Sequence, residues 1–228
     1  MLKSILLATV LLSLSVGNAF AESSTFENDP NLEITSISVT EFDEVAPPAT
    51  IPPIANPVDA VIATVDGLIA TGTKIWKIID GGRPVITIKN APTISVLPEL
   101  KSENTSLNQM ANWSVPSVHS YRVSFKNGYN NEVVGFTYSV FFQFNGNYKG
   151  TGKYITNLRI QTSEISSAWG FSFDATSELV GIANVGSMDE PIASATIQLS
   201  YAVKGLLNEK RAVRSFYIDG NGNIQIIQ

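Results

Sequence analysis

The chain has 228 residues, with 20 acidic against 15 basic side chains, one histidine and no cysteine. The missing cysteine excludes thiol catalysis, thiolate metal sites and a lipidated N-terminal cysteine, and a lone histidine excludes a multi-histidine metal site within one chain. A formal charge of −5 argues against nucleic acid as a partner, because an acidic surface repels a phosphate backbone.

The chain opens as an export leader. Lys3 supplies a positive start, Ile5 to Val16 an apolar core too short to span a bilayer, and Ala19-Phe20-Ala21 small residues at the two recognition positions. Cleavage is expected after Ala21, leaving 207 of 228 residues and, with Lys3 gone, a charge of −6. That length suits one single-core domain, which at this size needs no disulfides. The reading is of a secreted or periplasmic protein, most simply bacterial. Asn104-Thr105-Ser106 and Asn112-Trp113-Ser114 are glycosylation sequons only if the source is eukaryotic.

Glu22 to Pro57 holds seven acids, no base and six of the eleven prolines, which predicts an extended arm or linker. Within it Leu32 to Phe42 is rich in β-branched residues and could add as a strand to its own domain or to a neighbour's edge. From Pro57 to Asp80, Val61, Val65, Leu68, Ile69, Gly72, Ile75, Trp76 and Ile79 recur at steps of three and four, so the spacing predicts an amphipathic helix over 58–80, ended by Gly81-Gly82. Leu68, Ile69, Ile75 and Trp76 are the candidate apolar face of that helix, either covering the sheet or entering a membrane.

After Arg83 the period becomes two. Short strands are expected at Val85–Lys89, Thr93–Leu97 and Tyr121–Phe125. The clearest element is Glu132 to Gln161: Val134, Phe136, Tyr138, Val140, Phe142 and Phe144 share one face, Asn145-Gly146 suits a tight hairpin turn, and Tyr154, Thr156, Leu158 and Ile160 resume in step. Trp169, Phe171, Phe173 and Ala175 then share a face, as do Ala195 to Val203, and Ala212–Ile218 pairs with Ile224–Ile227 across Asp219 to Asn223. The expected fold is mainly β: an antiparallel β-sandwich of about eight or nine strands with one amphipathic N-terminal helix packed on it, occupying 58–228.

Four motifs with chemical overtones fail on inspection. His119 could serve a Ser-His-acid array, but no G-x-S-x-G elbow exists, since Gly170-Phe171-Ser172-Phe173 ends in Asp174. Gly146 to Lys153 is not a phosphate loop: Asn147 stands where its first glycine belongs and Tyr154 where its hydroxyl belongs. Asp219-x-Asn221-x-Asn223 imitates a calcium loop, yet Ile224 takes the glycine position. Asp174, Glu178, Asp189 and Glu190 are acids in search of a partner for glycoside chemistry, which no spacing provides.

The expectation is therefore a non-catalytic binding module without cofactor or metal, meeting an unknown protein, glycan or lipid surface, and able to oligomerise through edge strands or the N-terminal arm. Phe141, Tyr148 and Trp113 are the candidate contact aromatics, Phe141 because it breaks the polar side of its strand between Ser139 and Gln143. Two alternatives stand beside it. The order of leader, amphipathic helix and cysteine-free aromatic β domain is similar to that of actinoporin-like cytolysins; the resemblance is one of order alone, carries over no residue, and implies membrane activity through the 58–80 helix. An outer-membrane β-barrel is the other alternative, suggested by the alternating strands.

Overall fold

A computed structural model describes residues 29–42, 61–85, 92–100 and 107–227. The leader, the stretch 43–60 and all but the first residue of the strand expected at Val85–Lys89 lie outside the described residues. The described chain forms fourteen strands in two antiparallel sheets, neither closed into a barrel.

The first sheet runs in the order β1 (Ile34–Phe42), β8 (Ser117–Asn127), β9 (Glu132–Tyr148), β10 (Thr151–Ser167), β6 (Ile94–Pro98), β3 (Leu68–Gly72) and β2 (Val61–Val65), with β7 (Met110–Ala111) beside the end of β9. The second runs β14 (Ile224–Ile226), β13 (Glu209–Asp219), β12 (Ala193–Lys204), β11 (Ser172–Asn184), β4 (Ile75–Asp80) and β5 (Arg83–Pro84). β1, drawn from the acidic arm, is thus an edge strand paired with β8 along Phe42↔Ser120 to Ile34↔Asn127.

The helix expected over 58–80 is not formed: from Val61 to Asp80 the chain makes three strands. The reason is local. Asp66 and Gly67 both take positive φ, 45° and 77°, giving the two-residue hairpin turn that Asp-Gly favours. Val61, Ile62, Thr64, Val65, Ile69, Thr71 and Ile75 are β-branched and prefer the pleat to the helix. Gly72, at φ 127°, then lets the chain pass from one sheet to the other where a side chain would strike the carbonyl oxygen of Thr93. The four residues assigned to a helical stripe scatter accordingly: Leu68 and Trp76 are buried, Ile69 is half-buried and Ile75 is exposed.

The central hairpin is present but turns later than Asn145-Gly146 suggests. β9 runs on to Tyr148, and Lys149-Gly150, both at positive φ (52° and 84°), makes the turn. Asn145 (φ 63°) marks an irregularity within the strand. Its neighbour Gly146 has no room for a side chain, because the Trp113 indole occupies that space.

Val134, Phe136, Tyr138, Val140 and Phe142 are all fully buried, as their alternation demands. They meet the second sheet through aromatic contacts: Phe136 lies 4.4 Å from Phe173 and 5.4 Å from Tyr201 between ring centroids, and Tyr138 lies 6.1 Å from Phe216. Such pairs add about 0.5–1.5 kcal/mol beyond the area they bury. The core fills the middle of the sandwich, and the loops gather at its two ends.

Candidate functional site

The three aromatics singled out from the sequence do not form one surface. Trp113 and Tyr148 are half-buried and pack against the core cluster, while Phe141 lies on the outer face of the first sheet. Among the described residues no helix covers Phe141. Arg159, its ladder partner, lies over the ring with its guanidinium carbon 4.6 Å from the centroid. Arg159 is only 3% exposed, donates to Asn157 Oδ1 at 2.6 Å and has no carboxylate partner among the described residues. Burial holds its pKa below the usual arginine range. Asn157 in turn donates to Gln143 Oε1 (3.2 Å), and Gln143 to the Ser114 carbonyl (3.0 Å), so a polar row ties β10 to β9 and to the segment leading into β8, while Arg159 Nε is buried without a partner among the described residues.

The acid–base candidates separate in the same way. Ser117 Oγ lies 3.3 Å from His119 Nε2, and His119 Nδ1 lies 3.6 Å from Glu41 Oε1. The order of groups is that of a Ser-His-acid array, but the second gap exceeds hydrogen-bonding distance, so the carboxylate does not fix the ring's tautomer. Ser117 and His119 sit two residues apart on one strand, with no elbow to raise the hydroxyl. Asp174 accepts from the Gly81 amide (2.9 Å) near the start of β11, whereas Asp189 and Glu190 lie in the loop beyond its far end. Asp219 spends both oxygens on its own turn, Oδ1 accepting from the amides of Asn221 and Asn223 and Oδ2 from Asn223 Nδ2, all within 3.1 Å. Among the described residues no group of three metal-ligating side chains converges.

The feature that sequence reading missed is at one end of the sandwich. Three turns meet there: 128–131 between β8 and β9, 168–171 between β10 and β11, and 205–208 between β12 and β13. At their tips Trp169 is 86% exposed, Tyr129 59% and Leu206 57%. Trp169 does not continue the face of Phe173 and Ala175, because Ala168-Trp169-Gly170 is the turn itself, with Gly170 at φ 87°.

Beneath the tips the turns are held firmly. Asn127, nearly buried, accepts the amides of Tyr129 (3.1 Å) and Asn131 (3.0 Å) on Oδ1. Asn208 clasps the start of β1, accepting from the Ile34 amide (2.9 Å) and donating to its carbonyl (3.0 Å). Ser167 Oγ donates to the Phe171 carbonyl at 3.0 Å. The turns are also tied to their surroundings: Gly128 N donates to the Pro30 carbonyl ahead of β1 at 2.8 Å, Ala168 N to the Val133 carbonyl of β9 at 2.8 Å, and a Cβ on Gly170 would lie 3.7 Å from Leu206 Cδ1. A signal was available in sequence, since each tip residue adjoins a turn glycine: Gly128-Tyr129, Trp169-Gly170 and Gly205-Leu206. None of the twelve turn residues is charged; Lys126, Glu132, Lys204 and Glu209 stand behind them at the strand ends, as does the largely exposed Asp80-Gly81-Gly82-Arg83 turn, whose Gly82 N donates to the Phe173 carbonyl at 2.7 Å.

Fold and site together define a two-sheet antiparallel β-sandwich with an apolar, rigidly seated loop end. No family model, no curated protein and no solved structure matches the chain.

Proposed function

We propose that the protein is a non-catalytic binding module of the cell exterior or envelope, exported by the leader ending at Ala21, and that it meets its partner with the loop end around Trp169. The observation that carries this reading is the exposure of Trp169, with Tyr129 and Leu206 beside it, on turns whose backbones are already tied down. Large apolar side chains grouped at a surface mark contact sites, and tips held rigid before contact lose little freedom on binding. The Ser117–His119–Glu41 row is read as a surface row, since its imidazole and carboxylate stand apart and open to solvent.

The test uses envelope material from the producing cell and the pure mature protein. The triple variant Tyr129→Ser/Trp169→Ser/Leu206→Ser is expected to lose roughly tenfold or more in retention, each residue being worth about 1.5–3 kcal/mol when fully buried. Val115→Ser/Met188→Ser, at the other end, leaves retention unchanged. Equal retention of both variants would overturn the assignment of the contact end. Turnover of ester, glycoside or peptide substrates that His119→Ala abolishes would overturn the non-catalytic part.

A further inference from the structure

We infer that the partner of the Trp169 end is the interfacial zone of an electrically neutral lipid bilayer; this rests on that end being the contact region. Three features of the tip point to lipid. The anchors stand on three separate turns, each more than half exposed. A protein partner would have to supply a fitted pocket for each, and a sugar ring would need a flat platform, whereas a bilayer surface yields to any convex apolar tip. Secondly, Trp and Tyr are the residues that settle at the headgroup level, where an apolar ring and a polar N–H or O–H are both satisfied, and Leu206 supplies a purely apolar anchor beside them.

Charge gives the third feature and chooses the lipid. The three tips carry no Lys or Arg, the charges behind them are of both signs, and the chain's formal charge is −5, so nothing at this end favours an anionic membrane over a neutral one. Lys126, Glu132, Lys204 and Glu209, with Asp80 and Arg83 of the β4–β5 turn, form a mixed rim behind the tip, at the level where charged groups would remain in water. With only the ends of three turns entering, the strands stand upright on the surface and no strand crosses it. Contact of this kind is shallow and reversible.

The test is flotation of the mature protein with phosphatidylcholine vesicles. Because Trp76 and Trp113 are buried or half-buried, the emission shift on binding should come from Trp169. The wild type is expected to float with the vesicles, with its tryptophan emission moving to shorter wavelength and quenched by brominated acyl chains. Trp169→Ser is expected to weaken binding about tenfold or more while leaving the circular dichroism unchanged, and Trp169→Phe to restore part of it. Val115→Ser/Met188→Ser is expected to float like the wild type. Failure to float on neutral vesicles, with Trp169-dependent retention on envelope material persisting, would overturn the lipid partner and leave the binding module standing, with a protein or glycan in its place. Flotation only on anionic vesicles, abolished by salt, would overturn it as well. Loss of Trp169 dependence on both vesicles and envelope would remove the contact end altogether.

Discussion

The two ends of the sandwich are built from the same materials and do opposite things with them. At one end, three turns are clamped from below by Asn127, Ser167 and Asn208, which leaves Tyr129, Trp169 and Leu206 pointing away from the protein. At the other, the turns bind to each other: Asn145 N donates to the Gly220 carbonyl (3.0 Å), Lys153 N to Pro191 (2.8 Å), Gly220 N to Ala193 (2.8 Å), and Lys153 Nζ to Asn221 Oδ1 (2.7 Å). There Gly222 makes room for Phe144, Gly146 for Trp113 and Gly220 for the Lys153 backbone. That end also carries apolar residues, Val115 at 83% exposure and Met188 at 74%, but Met188 is followed directly by Asp189 and Glu190. The difference teaches that exposure alone does not nominate a contact surface. Grouping, neutrality and rigid seating do.

The contrast can be broken most forcefully at the cross-linked end. Gly220→Val sets a branched side chain against the Lys153 backbone, which cannot give way, and should destabilise by about 3 kcal/mol or more in denaturant unfolding. An unchanged midpoint would mean that this end is not closed as described. Asp219→Ala leaves the amides of Asn221 and Asn223 without their acceptor and is expected to cost about 2 kcal/mol in the same measurement.

The core shared by both ends has its own signature. Tyr121, Tyr138, Tyr154 and Tyr201 are buried, and burial raises the pKa of each above the ordinary tyrosine value. Above about pH 10 the unfolded chain gives up phenolic protons that the folded chain keeps, so the unfolded state binds fewer protons and stability falls as pH rises. Each tyrosine contributes up to about 1.4 kcal/mol per pH unit beyond that point. Unfolding midpoints that hold steady between pH 10 and 11 would contradict this packing. A smaller effect is expected at Tyr138, whose hydroxyl is buried without a partner among the described residues: Tyr138→Phe should be neutral or stabilising by about 1 kcal/mol, read as a higher melting temperature. Smallest of all is Trp169→Ser, which should shift stability by no more than about 0.5 kcal/mol, since the ring touches little in the free protein.

How much of this was legible in the sequence depended on the length of each element. In β9 the alternation from Val134 to Phe142 lasts long enough to allow only one period, and its even face is core throughout. Between Val61 and Asp80 the strands have five or six residues, and apolar positions across two turns fall by chance at helical steps. Asp66-Gly67 was the decisive signal there, and it is a stronger one than spacing over such short runs. Asn145-Gly146 misled for the opposite reason: the dipeptide tolerates positive φ, but the pairing of Thr151 with Tyr148 places the turn at Lys149-Gly150. The candidate site was less legible still. Trp169 lies in step with Phe171, Phe173 and Ala175, so alternation absorbed it into a strand that begins only at Ser172. The grouping of Trp169 with Tyr129 and Leu206 joins turns far apart in the chain, which come together only through the pairing of β8, β9 and β10 in one sheet and of β11, β12 and β13 in the other.

The central claim, that one end and not the other makes contact, is tested most directly by oxidative footprinting of the mature protein, free and bound to envelope material. Trp169 and Tyr129 at one end and Met188 at the other are all oxidisable and exposed when the protein is free. On binding, the predicted result is slower modification of Trp169 and Tyr129 with Met188 unchanged. Protection of Met188 with Trp169 still reacting at its free rate would contradict the account.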